Sequence, residues 1–320
     1  MEPCVSGGRV YVCELLIIDL DPVAQFRVVF PSSTRAFVRE AILAGDVLVN
    51  GRVAPKGLKL RGGEEVSVIS LAEAADNVVQ PNADISPRTV YEDDALLAFD
   101  KPAGMPVQPL SRSELSTLMN GVVARHPECQ TLGDAPLMAG ALHRIDADTS
   151  GLVLVARTSE AFENLRAQFS EQTVEKTYLA LVEGSVAAGG ALECDLAHDP
   201  TLPFCRMIDA DHNRLTNAQR ERLRRLHAVT RFKPIAHMMV ENEERTLLEV
   251  TIFTGVTHQI RAQLAFAGMH IVNDRLYGAF AIEGMKGHCL HALSAKFRHP
   301  TTGETTTVST PLPAWASAEA

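Results

Sequence analysis

Across 320 residues the chain carries only six cysteines, Cys4, Cys13, Cys129, Cys194, Cys205 and Cys289, and no two form a C-x-x-C pair. That spacing argues against both a zinc site and a disulfide framework, and the reducing cytoplasm is the expected compartment. No apolar run approaches the length of a membrane span, and Met1–Gly8 lacks a basic region leading into an apolar core, so neither anchoring nor export is expected. Internal repeats and low-complexity tracts of consequence are missing as well. So is an excess of positive charge: 30 Lys and Arg against 39 Asp and Glu leave a formal net charge of -9. This removes the simplest argument for a nucleic-acid partner and shifts attention to where the basic residues lie.

What is present is enough apolar material, 46% of residues, for one sizeable core and a smaller domain. Between Val28 and Gly62 the basic residues Arg35, Arg39, Arg52, Lys56, Lys59 and Arg61 face only Glu40 and Asp46, a basic patch on an acidic chain. Ser33 suits the cap of a helix from Thr34 to Ala44, with Phe37, Val38, Ala41 and Ile42 on one face and Arg35 and Arg39 on the other. Val47-Leu48-Val49, Asn50-Gly51 and Val53 make a hairpin signal, because Asn-Gly tolerates the positive φ of a type I′ turn. Val66–Ile69 adds a further strand. The run Ala44–Val53 is similar to the core of the S4 RNA-binding domain, whose helix and hairpin present basic groups to RNA phosphates, although Leu16–Val28 departs from it in having one basic residue, Arg27. Residues 10–71 are therefore expected to form a small S4-like α+β domain, with 72–88, rich in Ala, Asn, Asp, Gln and Pro, as linker. A plain α+β module with a solvated basic face fits the same residues.

The second part, 89–317, carries four ordered blocks. Thr89–Gly104 reads as strand, turn, strand and a stop at Lys101-Pro102-Ala103-Gly104. His143-Arg144-Ile145-Asp146-Ala147-Asp148-Thr149-Ser150-Gly151 enters the apolar strand Leu152–Val155, which puts Asp146 at the mouth of a sheet. Taken alone, this run is what any turn needs. After a helix capped by Thr158 or Ser159, Glu175-Lys176-Thr177-Tyr178-Leu179-Ala180 reads as a strand with Tyr178, Ala180 and Val182 on one face. Thr254-Gly255-Val256-Thr257-His258-Gln259-Ile260-Arg261 leads into a helix capped by Thr257, with Arg261 at the edge of its buried stripe. Arg214, Arg220, Arg222, Arg224, Arg225 and Arg231 crowd a stretch expected to be helical, either a solvated face or a further RNA contact.

In order and spacing these blocks, with Ala267–Gly278 and Leu290-His291-Ala292 after them, resemble the RluA-type pseudouridine synthases. Three positions depart from the family: Val256 where Arg is usual, Gln263 where His is common and Asn273 where Gly is common. The resemblance implies an α+β catalytic domain built on a mixed, mainly antiparallel sheet crossed by a cleft. It implies Asp146 as the catalytic residue, Arg261 as its ion-pair partner and Tyr178 against the target uracil. Arg144, His143, Lys101, Thr149, His258 and Gln259 are the candidate substrate and RNA contacts there, as Arg35, Arg39, Arg52 and Lys56 are in the first domain. No metal and no organic cofactor is implied, since moving the C1′ bond from N1 to C5 of uracil needs no redox step and a carboxylate can act at carbon. The expected substrate is ribosomal RNA of the large subunit, or else transfer RNA, turned over by a cytoplasmic monomer. Two other readings stay open: a catalytically weak RNA-binding homologue in ribosome assembly or RNA folding, and a glycosidase-like enzyme on small nucleosides.

Overall fold

The computed structural model describes residues 11–13, 42, 45–55, 58, 66–68 and, apart from 136, 202–205, 213, 241–242, 283–284 and 286, residues 78–316. The chain divides into two compact units, Met1–Val78 and Val79–Ala320. In the first, β1 (Tyr11–Cys13), β2 (Val47–Val49), β3 (Arg52–Val53) and β4 (Val66–Val68) form an antiparallel sheet in the order β1-β4-β2-β3. The Asn50-Gly51 hairpin is present, both residues at positive φ, 51° and 75°, as a type I′ turn demands. Arg52 is exposed on β3. Of the helix expected over 34–44 only Ile42 is among the described residues, helical and buried, while Arg35, Arg39 and, after the hairpin, Lys56 lie outside them.

The second unit is built on a ten-stranded sheet. Its strands are β5 (Arg88–Glu92), β6 (Leu96–Lys101), β7 (Ser150–Ala156), β8 (Glu175–Glu183), β9 (Gly190–His198), β10 (Met207–Asp209), β11 (Leu226–Val240), β12 (Glu243–Ile252), β13 (Leu290–Arg298) and β14 (Thr305–Ser309). The order is β10-β9-β11-β12-β8-β13-β7-β6-β5, with β14 on β13. Every described pairing is antiparallel except β7 with β13. This is the mixed, mainly antiparallel sheet expected, and its apolar runs lie where both faces are covered: Leu152 to Ala156 on β7 and Leu96 to Phe99 on β6 are all buried.

Helices cover the faces. α1 (Leu118–Arg125) and α2 (Ser159–Ser170) pack on the β6–β7 half; Thr158 caps α2 by accepting from the Ala161 amide at 3.1 Å, and Ala161 and Leu165 point into the core. α3 (Asn217–Arg222) is short, and α4 (Gln259–Phe266) lies against β9 and β11. The arginine-rich stretch is therefore helical only from Asn217 to Arg222. Beyond it the chain enters β11, where pairing with β9 and β12 outweighs helix propensity, and Arg225 turns to Asp195 and Asp211. Residues 79–87, in the stretch read as linker, are held to this unit. Val79 is fully buried, Asn120 Nδ2 donates to the Gln80 carbonyl at 2.7 Å, and a Cβ on Gly121 would fall 2.5 Å from the Ile85 carbonyl oxygen. Among the described residues no helix is long and apolar enough to cross a membrane.

Candidate active site

Three strand ends and one helix start converge on a cavity of about 510 Å³ in the second unit. Asp146 lies in the loop entering β7, and that loop is fixed from several sides. Its own carbonyl accepts from the Thr149 amide at 3.1 Å, while the Ala147 carbonyl accepts from the Gly104 amide at 2.9 Å and from Lys101 Nζ at 2.8 Å. Gly151 makes the entry possible. It sits at φ 109°, and a Cβ there would lie 2.2 Å from the Ala292 carbonyl oxygen across the parallel β7–β13 contact.

The carboxylate meets Arg261, whose Nη1 donates to Asp146 Oδ2 at 2.7 Å. Arg261 also grips Asp274 with a two-pronged fork, Nε to Oδ2 at 2.7 Å and Nη2 to Oδ1 at 2.8 Å. Asp274 is 2% exposed, so a second, buried carboxylate fixes the arginine that faces the first. The Tyr277 ring lies under the guanidinium at 5.2 Å. α4 does not start with a Thr257 cap. His258 occupies the cap position in a left-handed conformation, φ 52°, and makes no side-chain cap bond. That costly backbone turn aims its imidazole inward, Nε2 being 3.7 Å from Asp146 Oδ2 and Nδ1 3.1 Å from the Tyr277 hydroxyl. The Tyr277 oxygen also accepts from the Met207 amide at 2.8 Å, which fixes the ring beside His258.

Burial works against ionisation of Asp146, but the charges of His258 and Arg261 and the Arg261 hydrogen bond outweigh it, so the carboxyl is held below its usual range. Burial also pushes His258 down, so at neutral pH the permanent guanidinium is the charge that remains. Tyr178, 8% exposed on β8, lines the same cavity, and its hydroxyl makes no hydrogen bond among the described residues. Burial and the Asp146 charge raise its pKa, which keeps its proton on at neutral pH. Among the described residues, no group of three or more His, Cys, Asp or Glu side chains is arranged to hold a metal ion.

A family model described as RNA pseudouridylate synthase matches residues 95–266, which span the Asp146 loop, β8 and all of α4. The chain belongs to that family. The ribosomal large subunit pseudouridine synthase D of Xanthomonas campestris is 35% identical over 297 residues, covering 89% of this chain and 83% of that protein. An uncharacterized RNA pseudouridine synthase of Bacillus subtilis is 31% identical over 283 residues, 88% of this chain and 86% of that one. In fold, the solved structure of human RNA pseudouridylate synthase domain containing 1 superposes with a TM-score of 0.56 at 23% identity, over 73% of this chain and 87% of that one. This pseudouridine synthase is thus an isomerase converting uridine to pseudouridine in RNA.

Of the residues singled out in the catalytic part, Asp146, Tyr178, Arg261, Arg144, His143, Thr149, His258 and Gln259 all line the cavity of the synthase. Arg144 is exposed at its rim. Lys101 is not there: it is fully buried, its ammonium donating to the Pro102, Met105 and Ala147 carbonyls at 2.9, 2.7 and 2.8 Å, so it holds the Asp146 loop rather than meeting RNA. Thr149 and Gln259 are turned inward too. The Thr149 hydroxyl pairs with His288 Nε2 at 2.7 Å, and Gln259 ties Thr254 to Val229 and Thr230. His143 accepts from the Leu154 amide at 3.1 Å and stacks on Phe169; burial and the Lys176 charge push its pKa down to about 3, so it is a neutral wall.

The departures from the family are absorbed by packing. Val256 packs with the Leu196, Met207 and Ala228 cluster, and Gln263 bridges the Ala228 carbonyl and Thr230. Asn273 sits at φ 65°, where Asn is among the few residues tolerated in place of Gly, and its amide clips the Ile282 to Gly287 loop. Sequence reasoning passed over Asp274, Tyr277 and Lys176. The block Ala267–Gly278 contains the first two, but only a buried carboxylate opposite Arg261 gives them a role.

Proposed function

We propose that this synthase isomerises a uridine of large-subunit ribosomal RNA, with Asp146 as the catalytic residue. The observation that carries the reading is an ionised, arginine-held carboxylate facing a strand tyrosine in one cavity. A carboxylate kept charged in a partly buried cleft can attack the sugar, add to the base or take a proton beside C1′, and each route begins with Asp146 deprotonated. The N1–C1′ bond then breaks, the uracil turns, C5 bonds to C1′, the C5 proton is released to water and N1 takes one up, so the product is an isomer of the substrate. Arg261 holds the carboxylate aimed, and Asp274 holds Arg261. Tyr178 stacks on the flipped uracil, and Arg144 at the rim contacts RNA as the nucleotide leaves its stack. The large-subunit substrate is carried from relatives named for it, and the S4-like unit 10–71 supplies sequence-independent RNA contacts through Arg35, Arg39, Arg52 and Lys56. The enzyme works as a cytoplasmic monomer.

Tritium release from an unmodified large-subunit ribosomal RNA transcript labelled with 5-tritiated uridine tests this reading. Wild type should release tritium, and Asp146→Asn should lower the rate by on the order of 10⁴-fold or more. Free uridine should not react. No release by wild type from this RNA, with release from transfer RNA, would move the substrate; no release from either would remove the assignment.

A further inference from the structure

Part of the cavity lining is not used by the Asp146 chemistry. Besides Asp146, its charged lining residues are Arg144, Arg166, Lys176 and Arg261, a cationic enclosure in a chain of net charge -9. Two of these cations are neutralised on site, Arg261 by Asp146 and Asp274, and Arg166 by Asp134 at 3.2 Å. Lys176 is different. It is 7% exposed, and its Nζ makes a single hydrogen bond, to the Thr254 carbonyl at 2.7 Å. It has no carboxylate partner among the described residues. Its ammonium lies 5.6 Å from the centre of the Phe169 ring, and that ring is stacked on His143.

A buried cation without a counter-ion is costly, and proteins keep one where a ligand supplies the missing charge. Burial alone lowers the Lys176 pKa, to about 8, so at neutral pH the ammonium is charged and two of its three protons have no acceptor. Lys176 and Tyr178 are two residues apart on one face of β8, roughly 7 Å along the strand. With a uracil against Tyr178 and its C1′ towards Asp146, an ammonium at that remove meets backbone rather than base.

We propose that Lys176 binds a backbone phosphate flanking the target uridine and so positions the flipped nucleotide for Asp146. The inference rests on the reading of this cavity as the uridine site. Lys176 is a positioning residue: it touches neither the reacting base nor C1′.

The test compares binding of uridine with that of uridine 3′,5′-bisphosphate by titration calorimetry, in wild type, Lys176→Met and Lys176→Arg, alongside tritium release from the labelled ribosomal transcript. In wild type the phosphates should improve binding by about tenfold or more, the worth of charge-assisted hydrogen bonds. Lys176→Met should lose that advantage while uridine binding persists, and Lys176→Arg should keep most of it. Tritium release should show a raised KM with kcat less affected in Lys176→Met. If Lys176→Met does not fold, wild type alone decides: the phosphate advantage must fall as pH rises past about 8, since His143 is neutral there and Tyr178 still protonated. An advantage retained in Lys176→Met, or unchanged in wild type to pH 9.5 (about 1.5 above the lysine's pKa,) when that variant is unfolded, overturns the proposal. Wild type that releases no tritium would instead sink the reading of the site.

Discussion

Arg261 makes three ionic hydrogen bonds to two carboxylates, and a lysine in its place could satisfy one of them. Arg261→Lys should therefore lower kcat in tritium release and also lower the melting temperature, because Asp274 would be left as a buried charge without its fork, a loss of about 3–5 kcal/mol. A variant with full stability and full activity would show that the fork is dispensable. Tyr178 separates stacking from proton chemistry. Tyr178→Phe should bind RNA normally, whereas Tyr178→Ala should weaken binding of the flipped base by about 1–3 kcal/mol, read as affinity for a transcript carrying the target uridine. With Asp146 as the proposed catalytic group, its ionisation should set the acid limb of kcat. Since Arg261 and His258 hold its carboxyl below the usual range, activity of the folded enzyme should persist as pH falls to the ordinary aspartate value and drop only below it. A midpoint above pH 4.5, well over the reference value of about 3.9, at a pH where urea unfolding shows the enzyme still folded, would contradict that electrostatic account.

At the scale of elements, the Asp146 loop is a strand entrance whose shape depends on its neighbours. Gly151 on β7 presses against the Ala292 backbone of β13, the one parallel contact among the described pairings, and the obstacle is main chain that cannot swing aside. Gly151→Ala combines a left-sided φ with that collision. It should cost on the order of 3 kcal/mol or more and displace Asp146, so urea unfolding would shift and tritium release would fall together. Loss of neither would mean that the strand ends can part without consequence. The motif Lys101-Pro102-Ala103-Gly104 acts in the same way from the other side. Both its lysine ammonium and its glycine amide donate to the Ala147 carbonyl, so a motif that looks like a turn in sequence is a clamp on the residue next to Asp146.

At the scale of the whole molecule, three buried histidines link folding to acidity. Burial pushes the pKa of His143 down to about 3 and those of His288 and His291 to about 4, so all are neutral in the folded chain. Unfolded, each takes a proton near pH 6.5. As pH falls from 6.5 to 4 the unfolded state binds protons that the native state refuses, so stability must fall across that window, by several kcal/mol in order of magnitude. Urea midpoints at pH 7, 5.5 and 4.5 measure it. His291→Gln, which can still serve Ser150 and Thr310 with polar atoms, should flatten part of the slope, and a profile level between pH 7 and 4.5 would contradict neutral burial. The same scale explains how an acidic chain handles an anionic substrate. Of the five Asp, Lys and Arg side chains lining the cavity four are basic, in a chain of net charge -9.

The sequence pointed to the reaction class and to the Asp146–Arg261 pair through its resemblance to the family in the order of His143–Gly151 and Thr254–Arg261, since either run by itself is only what a turn or a helix edge needs. It also determined the Asn50-Gly51 hairpin and the apolar strands β6 and β7, since turn geometry and burial on both faces are written in neighbouring residues. Helix starts were less legible. Thr257 has the chemistry of a cap, yet the ion pair inside the cleft is served by turning His258 left-handed, and the arginines after Asp209 look helical until β9 and β12 recruit the chain into a strand. Which polar residues face the cleft was decided only by the tertiary structure. Lys101, Thr149 and Gln259 find partners inside the protein, while Asp274, Tyr277 and Lys176 gain their roles from groups 13, 19 and 78 residues away. Burial is a property of what packs around a side chain, and a lysine on a strand does not announce whether a carboxylate will lie beside it.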